Sequence, residues 1–392
     1  MLGFFGVPSG EEAPPPLGTK TQLSTTWNPG TGVAFTAEIE DGRLFGNYWW
    51  GKADDRYDYR AGRWETTTED DRLVVEAGSQ LWRADEARTG GTHQLSVRLE
   101  VGDGSPAQAN LYRPPDVFAV DSHDVAARFT DGGGLSDIEF TGLLAPGEEV
   151  SFLSWVRDYE GGIDSLTASE LRAAGTDYPD WVLGAYLDGG DDDAVVGPRT
   201  QALADRISAE QATPYDQALA VQNELRLLRY EEDLGDQCEG FEAFPECLLA
   251  IEEGFCQQFA TTMVMVMRAM DVPARYVTGY LPGTLDETGR WMVEQQALHN
   301  WVEVYFPGYG WVRFDPTPGL AYNQVPTDLL EGEAPTSSPT PSPDPLDSED
   351  PLPTEPPLET FPPEPLPSDG FGGGDTTTGI VIGLAGLAAL LT

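Results

Sequence analysis

Three residues, in the chain order Cys256, His299 and Asp315, have the types needed for nucleophilic acyl transfer. A thiol nucleophile needs a base beside it, and the base needs a third group that fixes its tautomer and aim. Cys256 follows Gly254-Phe255, and Gln257 to Met270 contains neither glycine nor proline. Met263, Val266, Met267 and Met270 fall at helical spacing, so a helix is expected to open at Cys256 and to stop before Val272-Pro273. The thiol would then sit in the first helical turn, where unpaired N–H groups and the positive end of the dipole favour a thiolate and an oxyanion. His299 opens an alternating run to Phe306 that reads as a strand, and Asp315 closes the following strand. Each residue also has a plain reading. A free cysteine usually packs as a small apolar group, a lone histidine is usually structural, and Asp-Pro commonly starts a turn. The presence of all three in one short window favours the catalytic reading.

Strand register tests it. If Phe306 paired with Trp311, His299 and Asp315 would face opposite sides of the sheet and no dyad could form. With Tyr305 opposite Trp311, Asp315 lies opposite Trp301 and diagonal to His299, on one face. The second register is the expectation.

The remaining cysteines, Cys238 and Cys247, are nine residues apart, and a disulfide between them competes with two separate buried thiols. A zinc site built from Cys238, Cys247, Cys256 and His299 lacks the close ligand pairs of structural zinc sites, and no metal or cofactor is expected. The acidic run Gly189-Gly190-Asp191-Asp192-Asp193 reads as a solvated loop, because the spaced ligands of a calcium loop are missing.

The elements around these residues fall into blocks. Residues 1–20, with Pro14-Pro15-Pro16, read as an extended lead-in without the basic start or apolar run of a secretory leader. Residues 21–185 carry short alternating runs bounded by Gly, Asp and Pro, the pattern of an antiparallel β sandwich. The aromatics Tyr48, Trp49, Trp50, Tyr57, Tyr59 and Trp64 read as its core and sheet surface rather than a ligand-facing cluster. A helical pair follows, Pro198 to Glu210 and then Pro214 to Arg229 behind the cap Thr213. Residues 195–322 hold the three chemical residues. Residues 331–375 are rich in Pro, Ser, Thr, Asp and Glu and read as an unfolded acidic stalk. The apolar run of thirteen residues from Gly379 to Leu391 is shorter than the ~20 that span a bilayer. It reads as the start of a truncated membrane helix in 379–392, with a short hydrophobic tail as the alternative.

The chain has 392 residues, 66 acidic against 22 basic, and a formal net charge of −44. Such a surface repels nucleic acid. Its only lysines are Lys20 and Lys52, a composition seen in proteins that work in concentrated salt, where the self-repulsion is screened.

The stretches Gly-Phe-Cys-Gln-Gln-Phe-Ala at 254–260, Val-Pro-Ala-Arg-Tyr-Val-Thr-Gly-Tyr at 272–280, His-Asn-Trp-Val-Glu-Val-Tyr-Phe-Pro-Gly-Tyr-Gly-Trp at 299–311 and Phe-Asp-Pro-Thr-Pro-Gly at 314–319 resemble the transglutaminase-like superfamily, in particular its membrane-anchored microbial branch. The resemblance covers roughly residues 200–320. It implies an α+β fold, with a papain-like core in which a cysteine helix packs on an antiparallel sheet bearing histidine and aspartate. It also implies Cys256 as nucleophile, His299 as base and Asp315 as orienter, in a globular part on the extracytoplasmic face of a membrane. The branch commonly has an acidic residue two before the histidine and alanine after it, whereas this chain has Ala297 and Asn300. The implied activity is cleavage of a peptide or carboxamide bond through a thioester. Protein cross-linking by amine transfer and a non-catalytic surface binding role are the alternatives.

Overall fold

The computed structural model describes residues 20–39, 48–67, 73–81, 92–102, 108–114, 116–130, 134–157, 166–187 and 196–319. The expected lead-in, apart from Lys20, the acidic loop at 189–193, the stalk at 331–375 and the apolar run at 379–392 lie outside these residues. Among the described residues no helix is long and apolar enough to cross a membrane.

Two sheets carry the architecture. One has eight strands, seven of them in the order Gly310–Phe314, Leu298–Phe306, Ala274–Tyr280, Trp49–Asp54, Leu135–Leu144, Val125–Phe129, Leu73–Val75, with Gln108–Asn110 paired beside Leu135–Leu144. The other runs Thr284–Leu285, Trp291–Glu294, Val33–Ile39, Thr92–Val101, Glu149–Arg157, Asp116–Val120. Every ladder in both sheets is antiparallel. Side chains from the two inner faces share one core, with Phe35, Val97, Leu99 and Phe152 meeting Ala127, Ile138, Phe140 and Tyr280. This is the sandwich that the alternating runs predict.

The boundary read from the sequence, a β region at 21–185 and a catalytic region at 195–322, is crossed by both sheets. Trp49–Asp54 pairs with Ala274–Tyr280, and Val33–Ile39 pairs with Trp291–Glu294. The physical reason is that an open sheet leaves a row of unpaired N–H and C=O groups at its edge, and joining the two regions satisfies both edges at once. Two short helices, Ala168–Ala173 and Asp180–Tyr186, also lie at the end of the expected β region.

The helical layer contains Pro198–Glu210, Pro214–Leu225, Phe244–Ile251 and Cys256–Ala269. Thr213 caps the second, its hydroxyl accepting from the Asp216 N–H at 3.2 Å. That helix stops at Leu225 rather than Arg229. Cys256–Ala269 is buried along all its faces from Cys256 to Arg268, which explains why Met, Val, Thr and Ala occupy every side of it. It ends where Asp271 takes a left-handed φ of 59° ahead of Val272-Pro273. The N-terminal region reaches this core too. The Trp64 ring stacks on Tyr276 with centroids 5.0 Å apart, and its indole N–H donates to Thr261 Oγ1 on the cysteine helix at 2.9 Å.

Candidate active site

Cys256 is the first residue of its helix, and Phe255 ahead of it has extended backbone. Gln258 locks this start. Its Oε1 accepts from the Phe255 N–H at 3.2 Å and its Nε2 donates to the Ser24 carbonyl at 2.7 Å. His299 lies on Leu298–Phe306, opposite Gly279 of the neighbouring strand. Gly279 admits no side chain, because a Cβ there would lie 2.0 Å from the Trp49 carbonyl oxygen and 2.7 Å from the Trp301 ring. Across the other edge Tyr305 stands opposite Trp311 and Val302 opposite Phe314. This is the register that places Asp315 on the face of His299.

The structure brings Asp315 and His299 together: Nε2 and Oδ2 are 2.8 Å apart. The same oxygen accepts from the Tyr48 phenol at 2.8 Å, and Oδ1 accepts from the Thr317 N–H at 3.0 Å. The backbone of Asp315 is held as well. Its N–H donates to Gln222 Oε1 at 2.9 Å, and its carbonyl accepts from Arg226 Nε at 2.8 Å. Burial pushes the Asp315 carboxyl up, but the His299 charge and the bonds from His299, Thr317 and Tyr48 outweigh it and hold the group below the usual carboxylate range. Asp315 is therefore ionised, so Nε2 carries the imidazole proton and Nδ1 is the nitrogen left to act as a base.

Asn300, next to His299, presents Oδ1 to Cys256 Sγ at 3.6 Å, while its Nδ2 donates to Thr278 Oγ1 at 2.8 Å. The thiol has no exposed surface, and His299 and Asp315 are almost as deeply buried. Burial pushes the Cys256 thiol far above its ordinary value, and the Asp315 charge acts in the same direction. The N–H groups of Asn300, Gln257 and Cys256 pull the other way and lose. The helix start by itself favours a thiolate, and in this closed arrangement desolvation opposes it. Leu234, Phe255 and Cys256 form one apolar cluster, with Trp27, Tyr230, Cys238 and Ile251 packed against it. Two backbone bonds join its outer segments, Trp27 N to Glu232 O and Leu234 N to Thr25 O, both 2.8 Å. Cys238 is joined to Cys247 as a disulfide, which ties this covering segment to helix Phe244–Ile251. Two ligands of the zinc alternative are consumed by that bond.

Sequence reasoning missed Tyr48, Gln222, Arg226 and Thr317. Thr317 had a signal, since an Asp side chain commonly accepts from the N–H two residues on. Tyr48 had none, because 267 residues separate it from Asp315.

Comparison with known proteins gives a consistent picture. Residues 201–316 match the family described as the transglutaminase-like superfamily. Over 138 residues, 35% of this chain and 21% of the other, the chain is 32% identical to a protein-glutamine gamma-glutamyltransferase of Pseudomonas aeruginosa. It is also 32% identical to the uncharacterized protein YebA of Bacillus subtilis over 130 residues, 31% of this chain and 18% of that one. The matched stretches thus span about a fifth of the length of these curated relatives. The crystal structure of the periplasmic domain of TgpA from Pseudomonas aeruginosa shares the fold, with a TM-score of 0.52 and 22% identity over 77% of this chain and 91% of that one.

Proposed function

We propose, from the premise that this chain belongs to the transglutaminase-like superfamily, that it is an extracytoplasmic cysteine acyl-transfer enzyme cleaving peptide or carboxamide bonds through a thioester. The observation that carries the reading is the 2.8 Å contact between His299 Nε2 and Asp315 Oδ2, in a site that also holds the helix-start Cys256. Nδ1 of His299 takes the thiol proton as Sγ attacks the carbonyl carbon. Asp315 stabilises the imidazolium that forms, and N–H groups at the helix start face the developing oxyanion. Collapse breaks the C–N bond, and the imidazolium gives its proton to the leaving amine. Water, deprotonated by His299, then attacks the thioester to release an acid and restore the thiol. Because the sulfur is fully buried, substrate entry requires the segments at Thr25–Trp27 and Tyr230–Cys238 to move apart.

A second reading, amine transfer onto the thioester, is favoured by two observations. One relative is named a protein-glutamine gamma-glutamyltransferase, and a site covered by apolar groups keeps water from the thioester. The periplasmic origin of the structural relative supports an extracytoplasmic site, and we place membrane attachment in the apolar run at 379–392. The test incubates the chain with casein and a fluorescent primary amine, at low and at multimolar salt, while recording peptide cleavage, ammonia release and label incorporation. Peptide cleavage, or ammonia release without label incorporation, lost in Cys256→Ala supports the hydrolase, and incorporation supports the transferase. Equal signals from wild type and Cys256→Ala would leave a non-catalytic binding module.

A further inference from the structure

We propose that Tyr48 is a positioning residue of this site, its phenol fixing the Asp315 carboxylate against the His299 imidazole, so that the N-terminal β region completes the catalytic apparatus. The inference rests on the acyl-transfer reading above. Tyr48 immediately precedes Trp49–Asp54, the strand that joins the N-terminal region to the catalytic strands. Its hydroxyl donates to Asp315 Oδ2 at 2.8 Å, the oxygen that also faces His299 Nε2. Its ring meets the His299 ring edge-on with centroids 5.8 Å apart and the Trp301 ring at 5.1 Å. The Arg313 guanidinium lies 4.0 Å over the Tyr48 ring centroid. The tyrosine is 2% exposed.

A buried tyrosine generally finds some hydrogen-bond partner, so a bond alone would mean little. Here the partner is the one oxygen whose position sets the aim of the base. The same ring also flanks the imidazole, so both ends of the Asp315–His299 contact are held from one side chain. Burial and the Asp315 charge push the phenol far above its ordinary value, so it stays a neutral donor throughout the working range. The charged and titratable groups around Asp315 and Tyr48 come from several elements. They are His299 on its strand, Tyr48, Arg313 on the preceding strand, Arg226 behind helix Pro214–Leu225, Cys256 on its helix, and Tyr230. Tyr48 and His299 both contact the carboxylate oxygen Oδ2 directly.

Donation to a carboxylate favours its charged form, so removing the hydroxyl makes Asp315 take up a proton at higher pH. The test uses the full chain and alkylation of Cys256 by iodoacetamide, followed by intact mass against pH. In Tyr48→Phe the acid limb of the alkylation rate moves up by about one pH unit and the plateau falls about tenfold. Asp315→Asn abolishes that limb, and adding Tyr48→Phe to it changes nothing further. Tyr112→Phe, at another buried tyrosine of the β core, leaves the limb in place. If Tyr48→Phe does not fold, replacing Tyr48 by 3-fluorotyrosine, a stronger donor of nearly equal size, moves the limb down instead. A Tyr48→Phe profile that superimposes on wild type overturns the proposal, as does an equal further loss on the Asp315→Asn background or an unmoved limb with fluorotyrosine. Wild-type Cys256 labelling only as an ordinary thiol, near pH ~8.5, or not labelling at all, would remove the acyl-transfer reading and this inference with it. Activated labelling in wild type with an unmoved Tyr48→Phe profile removes this inference alone.

Discussion

Replacing Lys52 by methionine should destabilise the N-terminal and catalytic strands together. Lys52 Nζ lies 2.7 Å from Asp54 Oδ1 and 3.1 Å from Thr21 Oγ1, and both charged side chains are 0% exposed. Asp54 further accepts from Thr66 Oγ1 at 2.8 Å and Thr21 Oγ1 at 3.0 Å. Methionine fills similar space but leaves the carboxylate with hydroxyl partners alone. Removing one member of a buried ion pair costs about 3–5 kcal/mol, because the other charge stays desolvated. Against a typical total of about 5–15 kcal/mol this is from about a fifth to all of the stability. Both residues also sit in the joining ladder, Lys52 opposite Thr278 and Asp54 opposite Tyr276, so the loss falls on the strand beside His299. Urea unfolding followed by tryptophan fluorescence, in parallel with the activity assay, should show one transition shifted to lower urea. Lys52→Met with Asp54→Leu should recover most of the loss, since an apolar pair of similar volume carries no desolvation penalty. A loss below about 1 kcal/mol, a double variant no better than the single one, or separate transitions for the two probes would refute the reasoning.

Burial raises the carboxyl of Asp137 to about 7 and that of Asp55 to about 6. The folded state therefore binds more protons than the unfolded one between the ordinary carboxylate range and neutrality, and stability should fall as pH rises through that window. Thermal melts from pH 4 to 8 should show this fall, and Asp137→Asn should flatten it; a rise instead would contradict the sign. Reducing the Cys238–Cys247 bond, which spans nine residues, should cost about 2.5 kcal/mol and lower the urea midpoint, and an unchanged midpoint would count against it. Glu246 accepts from the N–H groups of Arg199 at 3.1 Å and Thr200 at 2.9 Å, capping helix Pro198–Glu210 from a neighbouring helix. Glu246→Ala should cost about 2 kcal/mol in the same assay. A change within 0.5 kcal/mol would show that solvent replaces the cap.

Local chemistry made much of the site legible. The glycine-free run after Cys256 and the Val272-Pro273 stop delimit one helix, and the parity of side-chain faces selects the pairing of Tyr305 with Trp311. Helix Pro198–Glu210 was readable from proline at its first position. Helix Phe244–Ile251 was not, because its eight residues are too few to show a helical period. What the local pattern cannot carry is pairing at long range. Nothing about Trp49–Asp54 points to Ala274–Tyr280, because strand partners share a face and a period but no spacing. The burial of the Cys256 thiol was not legible for the same reason. Helix position is local, whereas burial depends on Trp27 and Leu234 folding over it.

The long reach between Asp54 and its partner Tyr276 bears on how the protein is made. Position 276 follows position 54 by 222 residues, which at ~5–20 residues per second is roughly 10 to 45 s of translation. Throughout that interval Trp49 and Trp50 have been synthesised while the neighbour that shields one side of their strand has not. A newborn chain thus carries an adhesive ribbon early in its life, and a holdase that keeps it apart from other copies should raise the yield of folded protein.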